Sequence, residues 1–121
     1  MASYLVLFKL TRDRRIKIGK LKTFYFKKGQ YLYVGSFPKQ WIQNRISRHK
    51  MKNKKLHWHI DYFSKDPYVR FLTSRVFFRK ECNLALDLHN KFSCVNKFGS
   101  SDCKCAGHLF YSRKNVDISD I

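Results

Sequence analysis

Residues 29–50, GQYLYVGSFPKQWIQNRISRHK, restrict the fold more than any other stretch of the chain. The first eight alternate as a strand does, with Tyr31 and Tyr33 on one face and Leu32 and Val34 on the other. Gly35 and Pro38 mark a turn, and Pro38 suits the first turn of the helix that follows. A helix turns about 100° per residue. With Trp41 at zero, Arg45 and His49 then fall inside the arc that Trp41, Ile42 and Ile46 bury. A guanidinium facing a core is expensive unless an anion meets it. The competing reading lays Arg45 over Trp41 as a cation–π pair with its head in water.

Elsewhere the pattern is that of one α+β domain. SYLVLFKL (3–10) is apolar on both faces, as a central strand is. RIKI (15–18) and LKTFYF (21–26), separated by Gly19-Lys20, read as a hairpin. Residues 56–65 read as a short helix, 68–73 as a strand and 79–92 as a helix. Ser93 to Gly107 reads as loop, and 108–112 as a last strand. The expectation is a small antiparallel sheet, with mixed pairing left open, flanked by helices. It forms a single domain over 1–112, followed by a polar, fraying tail over 113–121.

Charge narrows the function. Lys and Arg number 26 against 8 Asp and Glu, a formal net charge of +18 on 121 residues. Hydrophobic residues make up 44%, so this is a folding chain and not a basic tail. A polyanionic partner follows, nucleic acid first, because phosphates release counterions on meeting Lys and Arg. RHKMKNKK (48–55) is the densest patch: Arg48, Lys50, Lys52, Lys54 and Lys55 are its phosphate-tracking candidates. No stretch approaches a membrane span, and the run YLVLF is broken by Lys9 too early for a signal peptide. A cytoplasmic location is expected, with reduced or metal-bound cysteines.

The helix over 79–92 repeats the inward-polar pattern. Glu81 shares a stripe with Leu84, Ala85, Leu88 and Phe92, while Asn83, Asp87, Asn90 and Lys91 lie on the far side. An inward carboxylate on a strongly positive protein suits a divalent cation. Two strand tyrosines (Tyr4 and Tyr33), an arginine, a histidine and one carboxylate make up the set that metal-assisted phosphodiester hydrolysis requires. Separately, DCKCAGH sets Cys103, Cys105 and His108 close together. These are candidate zinc ligands, with Cys82, Cys94 or His89 as fourth; buried thiols or a bridge are the alternatives. His57 and His59 read as packing or hydrogen-bonding residues, Trp58 and Tyr62 as core, and Asp61 as a candidate second metal-side carboxylate.

Taken in order, YLYVGS, RISRH, LHWHIDYF, ECNLAL and FGSSDCKCAGHLFY resemble the small GIY-YIG-like proteins found beside or fused to endonuclease III. The resemblance runs from about Tyr4 to Tyr111, nearly the whole chain. It implies a GIY-YIG nuclease fold, here with an extra N-terminal hairpin filling the interval between the two motif tyrosines. It implies metal-dependent cleavage of nucleic acid, DNA before RNA, beside a DNA-repair partner enzyme. It also implies catalytic roles for Tyr4, Tyr33, Arg45, His49 and Glu81, with Glu81 holding Mg²⁺ or Mn²⁺. In that reading Arg45 grips the non-bridging oxygens, and Tyr33 or His49 activates water. The superfamily's late asparagine has Asn90 and Asn96 as candidates by order alone. A relative lacking it would be a nucleic-acid-binding module that does not cut, with zinc stabilisation as a further option.

Overall fold

A computed structural model describes residues 2–95, 98 and 108–121. Ala2–Leu10 (β1) pairs antiparallel with Gly29–Phe37 (β4) on one side and with Val69–Phe77 (β5) on the other. Leu109–Ser112 (β7) adds to β4, and Ser93–Val95 (β6) adds to β7. The sheet order is β5-β1-β4-β7-β6, and every pairing is antiparallel. Arg14–Ile18 (β2) and Lys22–Phe26 (β3) form the expected hairpin as a separate two-stranded sheet. Its turn places Gly19 at φ +52°, a backbone state that glycine adopts without strain. The described residues thus form an α+β domain: a five-stranded and a two-stranded sheet with three helices around them.

β1 is buried at every position except Lys9, because both faces of the sheet are covered. On one face Tyr4, Val6, Phe8, Tyr31 and Tyr33 meet Ile42–Lys50 (α1), His59–Ser64 (α2) and the hairpin's Ile16, Ile18 and Phe26. On the other, Leu5, Leu7, Leu32 and Val34 meet Leu84, Ala85 and Leu88 of Glu81–His89 (α3). Each fully buried Leu or Phe contributes roughly 1.5–3 kcal/mol. The one irregularity in the β1–β5 ladder falls between Leu7 and Phe8. Thr73 and Phe71 are their partners, and Leu72 is left half exposed.

Several boundaries differ from expectation. β5 runs on to Phe77, held by its ladder with β1, although its own burial pattern carries little alternation. The third helix stops at His89, and Ser93–Val95 pairs with β7 where the composition reads as loop. Trp41 is 55% exposed, since it closes the 3-10 turn Lys39–Trp41 before α1 begins. The end of the chain does not fray. Ile118 is buried against the α3 face with Val116 and Ile121 beside it. The Arg75 guanidinium donates to the carbonyls of Ile118, Ser119 and Ile121. No described helix is long and apolar enough to cross a membrane.

Candidate functional site

The register of β1 and β4 sets Tyr4 opposite Gly35 and Val6 opposite Tyr33. Tyr4 and Tyr33 therefore point to the same face, with ring centroids 6.3 Å apart. Gly35 is fixed by this contact: a Cβ there would lie 2.5 Å from the Tyr4 ring and hydroxyl. α1 crosses above and delivers Arg45 and His49, 5% and 1% exposed. The helical count thus placed both residues correctly, although Trp41 is not their neighbour in the core. Arg45 lies under Trp58 instead, with the guanidinium carbon 3.3 Å from the ring centroid.

These groups form one network. Arg45 Nε donates to the Tyr4 hydroxyl at 3.1 Å, and that hydroxyl lies 2.7 Å from His49 Nε2. The Tyr4 hydroxyl keeps one proton and a second lone pair after accepting from Arg45, so its role toward His49 Nε2 follows the imidazole's tautomer. His49 Nδ1 is buried without a hydrogen-bond partner among the described residues. Arg45 Nη1 is in the same position, and no carboxylate among the described residues pairs with the guanidinium.

Burial dominates the ionisation of the cluster. It pushes Tyr4 up to about 12 against the pull of Arg45, and it pushes Tyr33 far above the usual phenol range. It pushes His49 down to about 3, helped by the charges of Arg45 and Lys54. Near neutrality both tyrosines are therefore phenols and the histidine is an uncharged imidazole. The Glu81 carboxylate also raises both tyrosines by its charge, which places it within electrostatic reach of the cluster from the end of α3.

A second polar cluster lies behind α1. Asp61, fully buried, accepts from the backbone N–H groups of His57 and Trp58 at 2.9 and 3.0 Å, capping α2. Arg48 Nη2 reaches the same oxygen at 2.8 Å, and Lys54 Nζ lies 4.0 Å from the other. Burial tends to raise the Asp61 carboxyl. The backbone donors and Arg48 outweigh it and hold the carboxyl below its usual range. Asp61 is thus a structural anion and not the second metal carboxylate that its sequence position allowed.

The basic stretch after α1 divides accordingly. Arg48 also donates to the Lys55 carbonyl, and Lys54 donates to the Ser64 hydroxyl and the Arg48 carbonyl. Burial lowers Lys54 to about 8, with Asp61 opposing. Lys52 Nζ donates to the carbonyls of Ser64, Asp66 and Val69 around the end of α2, where a cation is favoured. Arg48, Lys52 and Lys54 thus bind protein groups; Lys52 is exposed all the same, as are Lys50 and Lys55.

Near the end of the sheet where Tyr4 meets Gly35, the described residues gather a third group. One ligand atom from each of Glu81, Cys82 and His108 lies within 4.8 Å of the others. His108 Nδ1 is 3.6 Å from Glu81 Oε2, and burial lowers the imidazole, favouring the neutral form that metals bind. The His108 carbonyl accepts from Val34 N–H at 2.9 Å, fixing it on the strand that carries Tyr33 and Gly35. The set can hold a cation: Glu81 alone suits Mg²⁺ or Mn²⁺ with water, and oxygen, sulfur and nitrogen together suit zinc. Cys103, Cys105 and Asn96 lie outside the described residues. Asn90 is exposed at the end of α3, and neither His89 nor Cys94 belongs to the group around His108.

Sequence reasoning missed Trp58 as the cover of Arg45. Nothing local couples residues on different elements, and aromatics at that spacing read as core. It also missed the cap formed by Asp61, although an acid three residues after the start of a helix is the usual signal. Among known proteins, the model of a family described as a domain of unknown function, DUF123, matches residues 3–121. No curated protein and no solved structure matches the chain.

Proposed function

The chain belongs to the DUF123 family, and we propose that this member is a metal-dependent endonuclease of the GIY-YIG type, hydrolysing phosphodiester bonds in nucleic acid. DNA is the substrate of choice, on the resemblance to proteins that accompany endonuclease III. One observation carries the reading. Arg45 is a buried guanidinium that faces phenols and an indole, with no carboxylate among the described residues and with Nη1 unpartnered. A protein stabilises such a charge with an acid unless the anion is to arrive from outside. The +18 chain is made to receive a phosphate.

The residues divide the work. Arg45 takes the non-bridging oxygens of the scissile phosphate in a planar fork. Tyr33 stays a phenol and orients the attacking water as a hydrogen-bond partner. With His49 protonated on Nδ1, Tyr4 gives its hydroxyl proton to His49 Nε2, 2.7 Å away, as it takes one from the attacking water, and so ends as a phenol again. Burial first, and then the charge of Arg45 beside it, make His49 a weak base. A phosphate on Arg45 cancels that charge and strengthens the base when substrate is in place. Glu81 is the carboxylate for Mg²⁺ or Mn²⁺, which when bound supplies Lewis acidity to the leaving oxygen. Trp58, 41% exposed over Arg45, covers the approach.

The test is nicking of supercoiled plasmid with Mg²⁺ or Mn²⁺, with chelator, and with Glu81→Ala. Cleavage should require the ion and fall at least about a hundredfold in the variant. Burial of Tyr33, Arg45 and His49 favours one other reading, a module that binds nucleic acid without turnover. Tight binding of the plasmid with no metal-dependent nicking would select it and overturn the nuclease.

A further inference from the structure

We propose that Glu81, Cys82 and His108 form a binding site for zinc, joining the first turn of α3 to the start of β7. The proposal meets the nuclease reading at Glu81 alone: zinc would take the carboxylate that the nuclease reading gives to Mg²⁺ or Mn²⁺, whereas Cys82 and His108 have no part in that reading. Tetrahedral zinc with bonds of about 2.0–2.3 Å sets its ligands roughly 3.3–3.8 Å apart. His108 Nδ1 and Glu81 Oε2 already stand at 3.6 Å, and all three donors lie within 4.8 Å. Rotations of exposed bonds in Glu81 and Cys82, both only half-buried, close the difference.

The scaffold under these donors is rigid. His108 N–H donates to the Phe98 carbonyl at 2.6 Å, its carbonyl accepts from Val34, and the residue is 2% exposed. Glu81 and Cys82 open a helix anchored by the fully buried Leu84 and Leu88, so their backbone cannot drift. The N-terminus of that helix favours both a carboxylate and a thiolate.

Donor chemistry selects the ion. Mg²⁺ and Ca²⁺ take oxygen ligands, and a thiolate beside an imidazole is foreign to both. Carboxylate, thiolate and imidazole together match zinc, and these three are the donors that the described residues supply. The ion would tie together two elements far apart in sequence and would place positive charge at the end of the sheet that carries Tyr4 and Gly35.

Cobalt(II) is the probe. Chelator-dialysed protein titrated with Co²⁺ should develop thiolate-to-cobalt charge-transfer absorption at one ion per chain. Zinc should abolish it, and excess Mg²⁺ should leave it unchanged. Cys82→Ser should remove the band, and His108→Gln should weaken zinc binding at least tenfold. Should His108→Gln fail to fold by circular dichroism, Glu81→Gln reads the same loss. Absence of the band, or a band that survives intact in Cys82→Ser, overturns the site. Nicking is not the readout, so the two proposals fail separately.

Discussion

Arg45 and Arg48 leave the same helix one turn apart and arrive in opposite surroundings. Arg48 meets the buried Asp61 at 2.8 Å, inside a cluster that also caps α2 and ties down Lys54. Arg45 meets a phenol at 3.1 Å and an indole face. The first cation is neutralised by the protein, and its surroundings look inward to the fold. The second is left without an acid among the described residues, at the side of the sheet where two phenols and an imidazole converge. A buried charge in each place therefore means different things: one organises the loop between α1 and α2, and the other, in the proposed function, awaits an anion.

Substitution should separate the two most sharply. Asp61→Ala strands Arg48 and Lys54 and uncaps α2, so we expect a loss of about 3–5 kcal/mol in urea unfolding. Arg45→Met keeps the stem under Trp58 and removes an unneutralised charge. Its stability should stay within about 1 kcal/mol of the parent, or exceed it. Nicking by Arg45→Met should nonetheless fall on the order of a thousandfold. Equal destabilisation by both variants would erase the distinction between the clusters.

Acid should press on the Arg45 side first. His49 has a folded pKa of about 3 against an unfolded value of about 6.5. Below about pH 6.5 the unfolded chain takes up a proton that the folded chain refuses, so stability falls as pH falls. From pH 6.5 to 4.5 this amounts to about 2–3 kcal/mol. Asp61, held below its usual range, acts with the same sign only once carboxylates titrate, at still lower pH. His108, also lowered by burial, adds to the upper window. The difference between the parent and His49→Gln isolates the His49 part. Unfolding curves at the two pH values that shift equally in both would show that His49 is not the acid-sensitive group.

Much of the Arg45 cluster was legible because it rests on two periodicities. Alternation put Tyr33 on a strand face and the helical count turned Arg45 and His49 inward, whereas Tyr4, on a strand apolar on both faces, carried no periodic signal. The same count set Glu81 on the stripe of Leu84, Ala85 and Leu88 at the start of α3, and it stands there half-buried. What stayed hidden depends on contacts between elements. No local pattern says that Trp58 covers Arg45, or that Glu81 and Cys82 stand beside His108 across the sheet. β6 was unreadable for a related reason: three residues carry no period, and only their pairing with β7 makes them a strand. The chain end misled because Val116, Ile118 and Ile121 are spaced too irregularly to advertise a face.

The smallest expected effect bears on the basic stretch that joins the two clusters. Read as sequence, Arg48, Lys50, Lys52, Lys54 and Lys55 are equivalent phosphate contacts. In the fold Arg48, Lys52 and Lys54 already donate to carbonyls, a hydroxyl or Asp61. Lys50 lies exposed, its ammonium 4.8 Å from the Phe71 centroid, and Lys55 is exposed beyond the helix. Each lysine that neutralises a phosphate contributes about 0.9 to the slope of log affinity against log salt. Lys50→Ala and Lys55→Ala should therefore each lower that slope by about 1, with little change in unfolding free energy. Lys52→Ala should leave the slope in place and weaken the fold instead, because it removes the cation from the end of α2. Fluorescence anisotropy of a labelled duplex across a salt series measures the slope. A Lys52→Ala slope that falls as far as those of Lys50→Ala and Lys55→Ala would mean that its ammonium leaves those carbonyls for the phosphates.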